Sequence, residues 1–309
     1  MINRELIRLK IVQLVYAYYQ NGNKNIDVAV KELFFSLSKA YDLYRYLLLL
    51  MVEVTKYATR KVDAETAKNK RLKIDEPVSR RFVDNKFIAQ LAENKMLLQY
   101  VENEKRTWSN ELDFIKSLYE KILASDIYKT YLAIPDPTYA DDRELWRKLY
   151  KEFVFNNTEL DQLLEDQSLY WNDDKEIVDT FVLKTIKRFD EANGADQEIL
   201  PEYHSDDDKE FADKLFRRTL LNADYYRHLM SDNARNWEFN RLAYMDVVIM
   251  QIALAEMLTF PNIPVSVTLN EYIDLAKLYS TPKSGGYING LLDNIAKQLM
   301  KENKLIKSK

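Results

Sequence analysis

Residues able to do chemistry are scarce in this chain. Its only imidazoles are His204 and His228, and none of its 309 residues is cysteine. That excludes disulfides, thiolate metal sites, iron–sulfur ligation and cysteine nucleophiles together. It also suits a reducing compartment, so a cytoplasmic location is expected. His204 lies in the acidic stretch Tyr203-His204-Ser-Asp-Asp-Asp and should be exposed; His228 follows Tyr225-Tyr226-Arg227 and reads as a packing residue within a helix. Carboxylate pairs such as Asp173/Asp174 sit in polar surroundings that offer nothing to perturb a pKa, which makes them poor acid–base groups. Di-metal carboxylate bundles use Glu-x-x-His on two helices, a pattern absent here. Also absent are Gly-x-Gly-x-x-Gly, a P-loop and Gly-x-Ser-x-Gly. The one adjacent glycine pair, Ser284-Gly285-Gly286-Tyr287, suits either backbone approach to an anion at the start of the last helix or a tight turn. No catalysis, cofactor or metal is expected.

What remains is aromatic and cationic. Tyrosines number 21 and cluster at helical spacing: Tyr16, Tyr18 and Tyr19; Tyr41, Tyr44 and Tyr46; Tyr225 and Tyr226. Most should line the core with hydroxyls reaching water, while a few could stack unpaired bases. The net charge of −4 does not announce a nucleic-acid binder, so any basic surface must be local. Residues 56–81 are such a region, including Lys68, Lys70, Arg71, Lys73, Arg80 and Arg81, whereas 141–179 and 190–210 are acidic. These segments read either as solvated helix faces or as a phosphate-binding patch and a surface for a basic partner.

The elements that must position these groups are helices. The chain has 5 Gly and 7 Pro, far below ordinary usage, too few for a β-sandwich or a βαβ nucleotide fold. Its strongest apolar run, Tyr46–Val52, is much shorter than the ~20 residues that span a bilayer, so no membrane association is expected. The start, with Arg4, Glu5, Arg8 and Lys10, does not resemble a targeting segment. Breakers at Gly22, Pro77, Pro135/Pro137, Gly194–Pro201, Pro261/Pro264 and Pro282–Gly286 divide the chain. The pattern predicts a helix over 3–20 ended by Asn21-Gly22-Asn23. A second is predicted over 265–281, opened by a capping box Thr268-Leu-Asn-Glu271, and a third over 288–300 with Ile288, Leu291, Leu292, Ile295 and Leu299 on one stripe. Leu242–Leu258 is apolar almost all round and reads as a central buried helix. A weak repeat at an offset of 66 residues aligns Asp141-Asp142-Arg-Glu144 with Asp207-Asp208-Lys-Glu210, then Asn156/Asn222, Leu163/Leu229 and Trp171/Trp237. Trp108 hints at a third copy; duplicated helical hairpins and shared amphipathic periodicity both account for it.

Three stretches in the C-terminal third resemble the NusB family of bacterial transcription antitermination factors. They are Trp237-Glu-Phe-Asn-Arg241 through Asp246 to Glu256-Met, then Pro264-Val-Ser-Val-Thr-Leu-Asn270-Glu271 to Ala276-Lys277, then Gly286-Tyr287-Ile288-Asn289-Gly290-Leu-Leu292-Asp293. Arg8-Leu-Lys10-Ile-Val12-Gln13-Leu-Val-Tyr16 is similar to the family's first helix. The resemblance implies an all-α NusB-like bundle with a large helical insertion after its first helix. The expected parts are a first helix within 1–25, an insertion over 26–204, a C-terminal module over 205–303 and a basic tail over 304–309. It further implies a non-enzymatic factor that binds boxA-type single-stranded RNA with the ribosomal protein NusE, in the RNA polymerase antitermination complex. The positions matching the family's RNA contacts are Arg4, Arg8, Lys10, Tyr16, Lys283, Tyr287 and Asn289, and Asp246 matches the acidic position facing NusE. Arg and Lys there would hold phosphates, the tyrosines stack bases, and Asn289 would read a base edge or cap the turn. The first helix departs from the family's Arg-rich opening at Glu5 and Leu6, and Ala255-Glu256-Met257 stands where Tyr-Glu-Leu is common. Neutralising Lys70, Arg71, Arg80 and Arg81 would test whether the inserted basic stretch replaces that charge. An interaction scaffold of NusB descent without RNA recognition is the alternative; an RNA-modifying enzyme ranks third for want of a Gly-rich cofactor loop.

Overall fold

Sixteen consecutive residues with only three strongly polar side chains make α12, Tyr244–Thr259, the helix around which its neighbours assemble. In the computed structural model, which describes residues 1–22, 25–234 and 242–307, every side chain of α12 from Asp246 to Met257 is buried. Trp237 and Arg241, and the tail residues 308 and 309, lie outside the described residues. The described residues form α-helices and two short 3₁₀ turns, with a single isolated bridge between Ile2 and Tyr203. The fold is all-α. None of the described helices is long and apolar enough to cross a membrane.

Two compact units result, one of Ile2–Ser38 with Tyr203–Lys309 and the other of Met1 with Lys39–Glu202. The first, here the terminal unit, contains α1 (Arg4–Gln20), the first turns of α2 (Ile26–Leu72), α10 (Asp206–Leu221), α11 (Ala223–Asn233), α12, α13 (Val265–Tyr279) and α14 (Ser284–Lys301). Helix α1 starts where the Asn3 side chain accepts the Leu6 N–H and stops where Gly22 turns left-handed at φ 62°. Its apolar residues pack on α10 and α12. The stripe Ile288, Leu291, Leu292, Ile295 and Leu299 is buried along α14 as its spacing predicts.

Helix α13 corrects the capping-box expectation. It begins at Val265, just after Pro264, so Thr268 and Glu271 stand inside the helix, not at its cap. Thr268 donates to Glu256 (2.9 Å) and Glu271 pairs with Arg8 (3.2 Å). The Gly285-Gly286 pair is not a tight turn: both glycines lie in the first turn of α14. In the tail, Lys307 donates to the carbonyls of Met257 (2.7 Å) and Phe260 (2.9 Å), closing the C-terminal end of α12.

The second unit, here the inserted unit, comprises α2 from Lys39 onward with α3 (Lys86–Ala92), α4 (Lys95–Glu104), α5 (Leu112–Ala124), α6 (Asp126–Leu132), α7 (Tyr139–Phe153), α8 (Thr158–Gln167) and α9 (Lys175–Arg188). Trp108 stacks on Tyr46 at 4.1 Å and Trp171 lies 5.6 Å from the same ring, so the two tryptophans converge on one partner. At an offset of 66, buried Leu145, Leu149, Tyr150, Leu160 and Leu164 match buried Phe211, Leu215, Phe216, Tyr226 and Met230. Both stretches are helix pairs, α7–α8 and α10–α11. Asp179 is a buried hub here: Tyr150 donates to it (2.6 Å), Lys175 pairs with it (2.7 Å), and burial pushes its carboxyl up to about 6. Asp174, expected in a solvated stretch, is also fully buried. In the basic stretch, Arg80 pairs with Asp63 and Asp84, and Arg81 donates to the carbonyls of Leu132, Ile134 and Pro135. Lys68, Lys70, Arg71 and Lys73 are exposed at the end of α2.

Candidate nucleic-acid interface

The residues expected to touch RNA divide between the two ends of α1 and the start of α14. At the N-terminal end, Arg8 is 4% exposed. Its Nε and Nη2 donate to the two Glu256 oxygens at 2.8 and 3.0 Å, and Glu256 also accepts from Thr268 and from Tyr272 (3.0 Å). Burial alone would favour the neutral guanidinium, but the hydrogen bonds and charge of Glu256 outweigh it and raise the Arg8 pKa. Burial and the same carboxylate push the Tyr272 hydroxyl well up. Arg8 is therefore a core ion-pair residue, and its expected phosphate contact is corrected on that ground. The reason is local: α1 is buried on most of its circumference from Leu6 to Val12, so a cation there needs an internal counter-ion. Lys10 is likewise enclosed, at 1% exposure. Arg4 alone of the three reaches the surface, 3.7 Å from Asp208 and over the Phe211 ring.

The C-terminal end of α1 is open. Tyr16 is 37% exposed and meets Tyr244 edge-on at 5.8 Å, itself 41% exposed. Tyr19 lies beneath, 6.5 Å from Tyr244, its hydroxyl accepting from Gln251 (2.7 Å) and its ring covered by the Arg227 guanidinium at 5.1 Å. Gln13 donates to the Tyr279 hydroxyl (2.8 Å), anchoring this end to α13. The sequence reading missed Tyr244 and Arg227. The signal for Tyr244 was its position as the first residue of the most apolar helix, where an aromatic ring has one face without core to cover it.

Helix α12 links these tyrosines to the α14 corner. Two residues beyond Tyr244, Asp246 accepts from Ser280 and from Ser284 (2.9 Å), holding the turn between α13 and α14. Asp246 is 5% exposed, which corrects its expected place on a partner-facing surface. Lys283 and Asn289 are exposed at this corner. Tyr287 is partly buried, with burial and the nearby Asp246 charge raising its pKa. The structure thus brings Tyr16 to the α12 start that carries Asp246, while Arg4 lies about 18 Å away along α1 at 1.5 Å per residue. Of the two histidines, His204 is exposed as expected; His228 is also exposed instead of packed. Among the described residues no three His, Asp or Glu side chains stand together to hold a metal ion.

An all-α bundle with an open aromatic ledge and an internally neutralised ionic core is the class of protein that this geometry defines. Comparison with known proteins narrows it. The NusB family profile matches residues 180–297. The chain is 32% identical over 133 residues to the transcription antitermination protein NusB of Salinibacter ruber, covering 41% of this chain and 83% of that protein. It is 38% identical over 92 residues to NusB of Natranaerobius thermophilus, covering 30% of this chain and 66% of that one. A T. maritima NusB structure is 33% identical and covers 40% of this chain and 87% of its own, with a TM-score of 0.31. The chain belongs to the NusB family.

Proposed function

We propose that this chain is a cytoplasmic, non-enzymatic transcription antitermination factor that binds boxA-type single-stranded RNA together with the ribosomal protein NusE, within the RNA polymerase antitermination complex. The observation that carries the reading is the exposed pair Tyr16 and Tyr244, set beside the α12 turn that anchors the Lys283–Tyr287–Asn289 corner. Unpaired bases stack on such rings, Lys283 holds a phosphate, and Asn289 offers a base-edge hydrogen bond. The NusB relatives are named for transcription antitermination, which supports the same assignment. Residues 2–38 and 203–309 act as the NusB-like module, so the insertion expected over 26–204 is proposed to span 39–202.

One observation favours the scaffold alternative: burial of Arg8 and Lys10 leaves α1 with fewer surface cations than an RNA-gripping helix would carry. Titrating a labelled boxA-like single-stranded RNA, with and without NusE, over a salt series separates the two. Salt-sensitive binding that weakens in Tyr16→Ala is expected. No binding even with NusE present would leave the scaffold.

A further inference from the structure

A concave surface lies in the terminal unit, where α10, α11 and the end of α12 meet. It encloses about 430 Å³ and is lined by Lys214 and Arg218 of α10, Tyr225 of α11, and Leu258 and Thr259 of α12. We infer that this groove takes one unpaired nucleotide of the bound RNA, with its base on Tyr225 and its phosphate between Lys214 and Arg218. The inference rests on the RNA reading proposed above and adds a contact to it.

Charge is the first support. Lys214 and Arg218 are four residues apart, so they project from one face of α10, and both are exposed. Among the described residues neither forms an ion pair, whereas their neighbour Arg217 is bound by Asp213 (2.9 Å) and Asp27 (2.7 Å). Two adjacent cations with no carboxylate between them make a site for an anion. The second support is aromatic. Tyr225 is 46% exposed, and its ring lies 5.8 Å from that of buried Tyr226. A half-exposed ring beside cations is the combination that single-stranded nucleic acids use, since every base has a face to stack and every linkage a charge to neutralise.

Continuity is the third. Lys214 lies 5.9 Å over the Phe260 ring, Phe260 is 4.8 Å from Phe211, and Arg4 sits 5.0 Å over Phe211. Arg4, the one surface-reaching arginine of α1, and Lys214 therefore flank a single aromatic pair whose Phe211 ring is buried, which places the groove beside the start of α1. A volume near 430 Å³ falls within the roughly 300–1,000 Å³ of small-molecule pockets, which suits a nucleotide and is too small for a duplex. The aromatic face argues for a base over an acidic peptide, which would need the cations alone.

The test uses the full chain and a fluorescent single-stranded RNA carrying a boxA-like sequence, with anisotropy read over a salt series. Tyr225→Ala should weaken binding about fivefold to a hundredfold, the range for losing one stacked base, and Tyr225→Phe should restore it. Lys214→Ala with Arg218→Ala should flatten the logarithmic salt dependence by about 0.7 if one phosphate contact is lost. Circular dichroism should show these surface variants folded. If the groove variants bind as the unsubstituted protein does while Tyr16→Ala weakens binding, this inference falls and the RNA reading stands. If the unsubstituted protein binds no RNA with or without NusE, both fall. Binding of polyglutamate that is lost in the double variant, with RNA binding unchanged, would reassign the groove to an acidic partner and overturn the inference.

Discussion

The two ends of α1 carry residues of the same apparent promise and put them to opposite uses. At its N-terminal end Arg8 is drawn into the core by Glu256 and Glu271. At its C-terminal end Tyr16 stays at the surface beside Tyr244. The difference follows from what each end packs against. Arg8 faces α12 and α13 where they carry a fully buried carboxylate, and that carboxylate would be intolerable in a dry core without a cation. Tyr16 lies where α12 begins, against the half-exposed ring of Tyr244 and not against a buried charge. A basic residue in a helix expected to grip nucleic acid is thus no guide to contact until its counter-ion is known.

Breaking the ionic end should have the largest effect. Arg8→Met leaves Glu256 buried without its cation, so a loss of about 3–5 kcal/mol is expected in chemical denaturation. Asp246→Ala comes next: it strips the Ser280 and Ser284 hydroxyls of their acceptor, with an expected cost of about 1–3 kcal/mol and a lower melting temperature. Asp246→Lys should be worse still because it buries a charge opposite the α14 start, so that variant cannot serve as a clean probe of partner binding. At the open end, Tyr16→Ala and Tyr244→Ala should each weaken RNA binding by about 1–3 kcal/mol while costing about 1 kcal/mol of stability, because each removes the edge-on ring pair. Lys283→Ala should do least, reducing the salt slope of RNA binding by about 0.7.

Much of the scaffold was legible from periodicity. The low Gly and Pro content, the all-round apolar α12 and the Ile288–Leu299 stripe each correspond to what their packing requires. The Thr268/Glu271 pair shows where local pattern misleads: its spacing fits a capping box, yet a distant carboxylate on α12 and a cation on α1 claim both side chains. Burial of Arg8, Lys10 and Asp246 was illegible for the same reason, since each depends on contacts between helices far apart in sequence. Tyr244 and Arg227 escaped notice because a ledge is made by three helices, and no single segment displays it. His228 was misjudged on propensity: its helix turns that position to solvent.

Photo-crosslinking of a 4-thiouridine-substituted boxA-like RNA to the full chain, in the presence of NusE and with the adducts mapped by mass spectrometry, tests the account most directly. Adducts at Tyr16, Tyr244 and the Lys283–Asn289 segment, competed away by unlabelled RNA, are the predicted result. Adducts confined to the exposed basic end of α2 between Lys68 and Lys73, with none on the tyrosine ledge, would contradict it.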